Sequence, residues 1–492
     1  MFFCVHKCSR KGFYLEIYLL YFIWGDQKMA ARSYDVFDLL EYAGKQMEGR
    51  VEYWDAFFDS QSSCSISKDN VDERITLPEL IGIQVRSFKD GVWRSASTHQ
   101  MEKARLKELT MNLTKSRPKI ARKIKLNELP PSKLDVTMPV KKDPVNVSLE
   151  AKLEDIRNFH KTARDLDKRI INVITRYLDS QIERVFVNSE GSSMRQKVTR
   201  TRLLIFSVAR ENTKIRSDFE NLGGTKGYEV VQECDFNAVA KKNVDSSIEL
   251  LKAKTPPSGE FPVIVDSGNA GLIAHESFGH GLEADQVIRE RSYLAGLIGK
   301  RVASESTTII DSSKVPGGHG SYVFDDEGVP AKENILVKDG ILKQFLTDRF
   351  SASVLGCETT ASSRVESYLT KHFVRMSNTY FASGDMTLEE LLEPMKKGVL
   401  LVHSNFGMED PLGGGIQCTS TKGYMIEHGQ IGTPLTEVSL SGSVLELLRS
   451  IDGVGKEIKF GSGTCGKGTE DYVPVGDGGP YLRIQKTIVS GG

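Results

Sequence analysis

Hydrophobic and polar positions along the first half of the chain alternate between helical and strand periods. "SYDVFDLLEYAGKQMEG" (33–49) has an N-cap serine, Ser33, then apolar residues at helical spacing and a closing glycine, which predicts a helix. "RVEYWDAFF" and "SCSISKD" read as strands. "GIQVRSFKDGVWRSAST" reads as a hairpin, because Asp90-Gly91 supplies the positive φ of a tight turn between two alternating runs. A helix from about 99 to 113 leads into a stretch rich in Lys, Arg and Pro (114–145). "SLEAKLEDIRNFHKTARDLDKRIINVITRYLD" (148–179) reads as one long amphipathic helix, and "IERVFVNSEGSSMRQKVTRTRLLIFSVAREN" as two or three antiparallel strands.

A further helix (about 228–254) precedes "TPPSGEFPVIVD", where Pro256, Pro257 and Gly259 mark a linker and "FPVIVD" opens a new core. Glycine-punctuated strands dominate from there, with hairpins turned by Asp339-Gly340 and His428-Gly429. The pattern predicts an α+β fold: an N-terminal α+β domain (29–226), a connecting helix and linker (227–258), and a β-rich C-terminal domain (259–492).

Composition narrows the setting. The 492 residues are 39% hydrophobic, enough for two or three domains with sizeable cores. Lys plus Arg equals Asp plus Glu at 65 each, so charge gives no reason to expect nucleic acid or an anionic membrane as partner. The basic stretch 114–145 reads as a solvated connection, since its prolines break any continuous basic helix. Seven scattered cysteines do not form a disulfide framework, and a cytoplasmic location is the simplest. Residues 1–28 carry "FYLEIYLLYFIW" behind His6, Lys7, Arg10 and Lys11. This segment reads as an over-extended start before Met29, with a signal or anchor and a packed extra helix as alternatives.

The candidate chemistry lies in "GLIAHESFGHGLEAD" (271–285). His275 and Glu276 match the start of a zinc-protease signature, but the next histidine, His280, comes five residues on instead of four. On a regular α-helix the two imidazoles would lie roughly 140° apart. Binding one ion together requires a π-like widening or a helix that ends before His280, and Gly279 and Gly281 loosen the backbone there. A third ligand could come from Glu283, from His319 in "VPGGHGSY", or from Cys465 in "GSGTCGKG". Thiolate affinity for zinc favours Cys465 slightly without excluding the others.

"HESFGHGLEAD", "FDDEGVPAKENILVKDGILKQFLTD", "RMSNTY", "GYMIEHGQIGTPL" and "TCGKG…VPVGDGGP" follow in an order that resembles the TldD/PmbA peptidase family, strongly from about 260 onward and more weakly from about 34 to 258. The resemblance implies a zinc metallopeptidase with one Zn2+ per active subunit, His275, His280 and Cys465 as ligands, and Glu276 as general base. It also implies short or unfolded peptides as substrate, and a homodimer or a heterodimer with an inactive paralogue. A non-catalytic scaffold partner and a different zinc hydrolase are the competing readings. Arg375 and Asn378 are candidate substrate-binding residues, although a packing or turn role is the favoured reading for each. Asp325, Asp326 and Glu327 read as a solvated turn, with contact to a peptide amino group as the alternative. Two stretches depart from the family pattern, "NFGMEDPLGGG" (405–415) and the residues after Cys465 (466–473), and both bear on the peptide groove.

Overall fold

A computed structural model describes residues 35–115, 124–467 and 472–491. The expected extra segment 1–28 and part of the basic connection therefore lie outside the described residues. The fold is α+β, and its strands divide at the Pro256-Pro257 linker: one sheet is built from residues before it and three from residues after it.

The first sheet has eight strands. Its path runs Val92–Thr98, Glu79–Lys89, Tyr53–Lys68, Ile170–Asn188, Ser193–Glu211 and Lys133–Thr137, with Glu73–Thr76 and Lys214–Gly224 attached beside it. Several elements differ from the sequence expectation. The two strands expected after residue 50 are one continuous strand, Tyr53–Lys68. The first described helix is capped by Asp35, which accepts from the Phe37 amide; the expected cap, Ser33, lies outside the described residues. Within the basic stretch, Lys133–Thr137 pairs in parallel with Ser193–Lys197.

The largest departure is in 148–179. Ser148 caps a helix as expected, but the helix is Leu149–Arg164, and the chain re-enters the sheet as Ile170–Asn188. Val173, Thr175 and Tyr177 are buried at alternate positions while Arg176 points outward. Their β-branched and aromatic side chains suit a strand held between two neighbours, and that pairing overrides the helical pattern upstream. The helix expected over 228–254 is likewise two, Glu229–Gln232 and Phe236–Leu250, divided where Asp235 caps the second. Leu149–Arg164 and Phe236–Leu250 pack their apolar faces on the sheet through Ile156, Phe159, Ala240 and Val244.

In the C-terminal part, six strands run Gln430–Ser443, Gly415–Glu427, Lys397–Asp410, Gly259–Val265, Leu482–Gly491 and Ile451–Val454. Gln430–Ser443 also pairs with Leu482–Gly491, so five of the six close on themselves. A seven-stranded sheet contains Ile309–Ser312, Asn378–Phe381 and Tyr472–Gly479, with Gly463–Gly466 attached to the last. All three foreseen hairpin turns have positive φ at both central residues: 52° and 72° at Asp90-Gly91, 50° and 76° at Asp339-Gly340, 50° and 74° at His428-Gly429.

Buried ion pairs join the two parts. Arg184 of the first sheet sits between Asp59 and Asp326, and Arg86 between Asp55 (2.6 Å) and Glu327 (3.3 Å). This corrects the expectation of a solvated turn. Asp325, Asp326 and Glu327 are all buried, and Asp325 accepts the amides of Glu327, Val329 and Ser363. Burial pushes the Glu327 carboxyl up to about 7, although Arg86 opposes it. Removing one member of such a network strands the other charges away from water. Arg184→Ala is expected to lower unfolding free energy by about 3–5 kcal/mol in urea titrations. A loss below about 1 kcal/mol would show that water reaches the junction.

Candidate metal centre

Strand Gly259–Val265 lies between Lys397–Asp410 and Leu482–Gly491 and delivers the chain into the helix Ser267–Ile273. Asp266 caps that helix. Its Oδ1 accepts from the Asn269 amide (2.9 Å) and side chain (2.8 Å), and its Oδ2 accepts from the His403 amide (3.0 Å). An aspartate three residues before Asn269 is a sequence-level cap signal, and the sequence reading did not use it.

The helix does not continue as α. Ala274–Gly279 is π-helical, closed by a hydrogen bond from the His280 amide to the His275 carbonyl at 3.3 Å. The widening required by the five-residue spacing is therefore present, and it turns both imidazoles to the same side. Gly279 contributes space as well as flexibility. A Cβ built there would collide with Met376 Sδ, so the segment leading into strand Asn378–Phe381 packs directly against the wide turn. Gly271 is equally constrained, with the Gly478 amide nitrogen 2.4 Å from where its Cβ would be.

Cys465 arrives from a different element. It lies in strand Gly463–Gly466, opposite Val473. Its Sγ is 3.1 Å from His275 Nε2 and 3.3 Å from His280 Nε2. In a tetrahedral zinc site, sulfur and nitrogen donors stand about 3.5 Å apart. The three donor atoms fall within 4.8 Å of one another, and among the described residues no other His, Cys, Asp or Glu group converges in this way. One sulfur and two imidazoles suit zinc better than a hard cation such as calcium or magnesium.

Electrostatics agree with that donor set. Burial opposes ionisation of Cys465, but the two imidazoles outweigh it and hold the thiol down at about 4. Burial likewise disfavours the imidazolium forms, while Cys465 raises His275, and Glu283 and Cys465 raise His280. The centre is thus a thiolate balanced by imidazole protons, which a divalent cation would displace.

The other third-ligand candidates lie elsewhere. Glu283 Oε2 is 3.4 Å from His280 Nδ1 and 2.9 Å from Lys467 Nζ, while Oε1 is 3.5 Å from Arg375 Nε. Burial opposes the Glu283 charge, yet Lys467, His280 and Arg375 keep its carboxyl at about 2. Glu283 therefore orients the His280 ring from behind, away from the thiolate. His319 is buried near Arg200, Arg202 and Arg364, and burial with those charges pushes its pKa well below normal.

The two candidate substrate contacts are corrected by their burial. Arg375 is wholly buried, and its Nη2 donates to the Cys465 carbonyl at 2.8 Å, which places the ligand strand. Asn378 is wholly buried too. It accepts from the Gly320 amide (3.0 Å) and donates to the Ser312 carbonyl (2.6 Å) and Ser321 Oγ (3.0 Å). Both side chains are occupied inside the fold and neither lines the cleft.

A cleft of about 510 Å³ opens beside the centre. His275 and Glu276 line it together with Asp266, His403, Phe406, Gly461, Thr464 and Asp477, and the first domain contributes Phe219, Glu220, Asn221 and Lys242. The departure at 405–415 shapes its edge. Gly407 lies against Glu276, since a Cβ there would be 2.6 Å from Glu276 Cγ, while Phe406 and Met408 face outward at 54% exposure each. Glu409 was not singled out from sequence. Both its carboxylate oxygens are buried without a partner, and burial lifts it to about 9, with His280 opposing and Glu283 and Glu276 reinforcing. Of the second departure, residues 468–471 lie outside the described residues.

Comparison with known proteins defines the class. Residues 258–491 match the PmbA/TldA metallopeptidase C-terminal domain, and residues 142–251 match the central domain of the same metallopeptidases. A metalloprotease of Methanothermobacter thermautotrophicus is 34% identical over 90% of this chain and 97% of its own length. The metalloprotease TldD homolog of Haemophilus influenzae is 31% identical over 93% of this chain and 95% of its own. A zinc metalloprotease TldD homolog of Saccharolobus solfataricus is 33% identical over 73% and 80%. This chain belongs to the PmbA/TldD metallopeptidase family. Its fold is shared with TldE from Thermococcus kodakarensis (TM-score 0.74, 19% identity, 92% of this chain and 99% of that one). It is also shared with a Thermotoga maritima protein labelled a modulator of a DNA gyrase (TM-score 0.74, 22% identity, the same coverages). Among the described residues, no helix is long and apolar enough to cross a membrane.

The close approach of Met376 gives a direct test. Gly279→Ala is expected to destabilise the protein by about 1–3 kcal/mol through overpacking. Gly279→Ala combined with Met376→Ala should recover part of that loss, read by thermal unfolding. Strictly additive losses would show that the two residues do not meet.

Proposed function

We propose that this chain is a zinc-dependent peptidase acting on short or unfolded peptides, with His275, His280 and Cys465 holding the metal and Glu276 as general base. The observation that carries the reading is the convergence of the three donors beside a cleft that Glu276 also lines. When bound, zinc supplies Lewis acidity, polarising a scissile carbonyl and acidifying water. Glu276 follows a donor in sequence but is not one of the three. Its carboxylate is free to take a proton from the attacking water and pass it to the leaving amine. Glu283 fixes the His280 ring, and Arg375 fixes the strand bearing Cys465, so the donors keep their places as the proton moves. The scaffold alternative predicts metal without turnover.

Glu276→Gln is expected to keep stoichiometric zinc, measured by elemental analysis, and to lose peptide cleavage by about 10²–10⁴-fold. Undiminished cleavage with zinc in place would refute the role of Glu276, and a zinc-loaded wild type that cleaves no peptide would favour the scaffold. Cys465→Ser and His280→Ala should each abolish stoichiometric zinc.

Protonation gives a further check. The thiolate is already ionised at neutral pH and the imidazoles are raised, so zinc must displace imidazole protons. Affinity should therefore fall as pH is lowered from 7 to 5, and calorimetry in buffers of different ionisation enthalpy should register proton release. Zinc binding at pH 6 to 7 without proton release would contradict the charge state inferred for the centre.

A further inference from the structure

The charged groups lining the cleft are almost all matched. Lys242 Nζ lies 2.9 Å from Glu220, and His403 Nδ1 lies 2.8 Å from Asp218, with its Nε2 3.7 Å from Glu220. Asp266 is occupied by the three N–H donors of its cap. Two carboxylates remain. Glu276 follows His275 and is the general base of the peptidase reading. The other is Asp477, on strand Tyr472–Gly479, whose carboxylate forms no ion pair among the described residues and takes no hydrogen bond other than from its own amide; His275 is the one favourable charge near it.

Its position is defined by contact. A Cβ on Gly461 would lie 2.7 Å from Asp477 Oδ1, so that oxygen rests directly over the Gly461 backbone, and the Gly461 amide donates to the Asp477 carbonyl at 2.8 Å. Both residues line the cleft on the side from which Cys465 arrives four residues later. With zinc and the Cys465 thiolate in place the centre carries one net positive charge, which Glu276 offsets. Asp477 is then a further negative charge, partly buried, and no ion pair with a side chain of the protein balances it. A carboxylate in that setting is costly until a cation reaches it.

We propose that Asp477 is the receptor for a substrate ammonium group, so that the cleft selects peptides bearing a positive charge beside the bond to be cleaved. The ammonium is either the α-amino group of the peptide or a lysine side chain, and a carboxylate reads both alike. For the identity of its ligand the proposal rests on the peptidase reading. It makes Asp477 a specificity residue, distinct from the groups that hold metal or move the proton.

The test uses full-length, zinc-loaded protein carrying Glu276→Gln, which binds without turnover. Fluorescence anisotropy would follow a C-terminally labelled alanine pentapeptide with a free amino terminus and the same peptide acetylated. A second pair, both acetylated, would carry lysine or norleucine at the first position. At least tenfold tighter binding is expected for whichever member bears the ammonium. Adding Asp477→Asn, or Asp477→Ser should the first variant fold poorly, should bring that preference within twofold while zinc content stays stoichiometric. The first pair assigns the receptor to the α-amino group and the second to a side chain. Equal binding within both pairs overturns the proposal, as does a preference that survives both substitutions. A wild type that cleaves none of these peptides, beside an Asp477-dependent preference in Glu276→Gln, removes the peptidase reading and leaves the receptor standing.

Discussion

The hydrogen bond from the His280 amide to the His275 carbonyl spans five residues, and the geometry of the candidate centre depends on it. An α-helical turn would send the two imidazoles to different faces, and the Cys465 thiolate could meet only one of them. The π turn brings both to the same sulfur. A wide turn is a poor structure by itself, and here it is held from outside: Met376 packs into the space left by Gly279, and Tyr293 donates its hydroxyl to the Ser277 carbonyl. The irregularity is a property of the packed domain.

Charge follows the same logic. Two histidines and a cysteine, buried together, would ordinarily resist ionisation. Their closeness reverses this for the thiol and leaves the cluster matched to a divalent cation. Behind it, Glu283, Lys467, Arg375 and Asp285 form a second set of charges that neutralise one another and hold the donors. Across the domain junction, Arg184 and Arg86 tie the first sheet to the "FDDEG" loop, which keeps the first-domain wall of the cleft beside the centre.

Much of this was legible in local sequence. The three Xaa-Gly hairpins are set by residues that tolerate positive φ, and the i+5 histidine spacing by itself demands a distorted turn. The run 148–179 reads as one helix because a helical period upstream hides a strand defined by its partners, Tyr53–Lys68 and Ser193–Glu211. Arg375 and Asn378 look like binding residues in a list of polar side chains. Only their complete burial shows that they serve the backbone of Cys465 and the loop ending at Gly320.

By itself, then, the sequence determined what each short segment can do: where the chain turns, where His275 and His280 cannot share a regular helix, and which side chains are chemically able to bind zinc. It left Glu283, His319 and Cys465 as open alternatives for the third donor, with thiolate chemistry favouring Cys465 slightly and family resemblance favouring it further. The tertiary structure brings Cys465 onto both imidazoles, because the strand that bears it and the π turn, 190 residues apart in sequence, meet through the packing of two sheets. It also decided that Asp477 and Glu409 stand near the cleft without partners, which no local pattern encodes. Propensity and spacing act within a few residues. Burial and charge balance depend on everything that packs around a group.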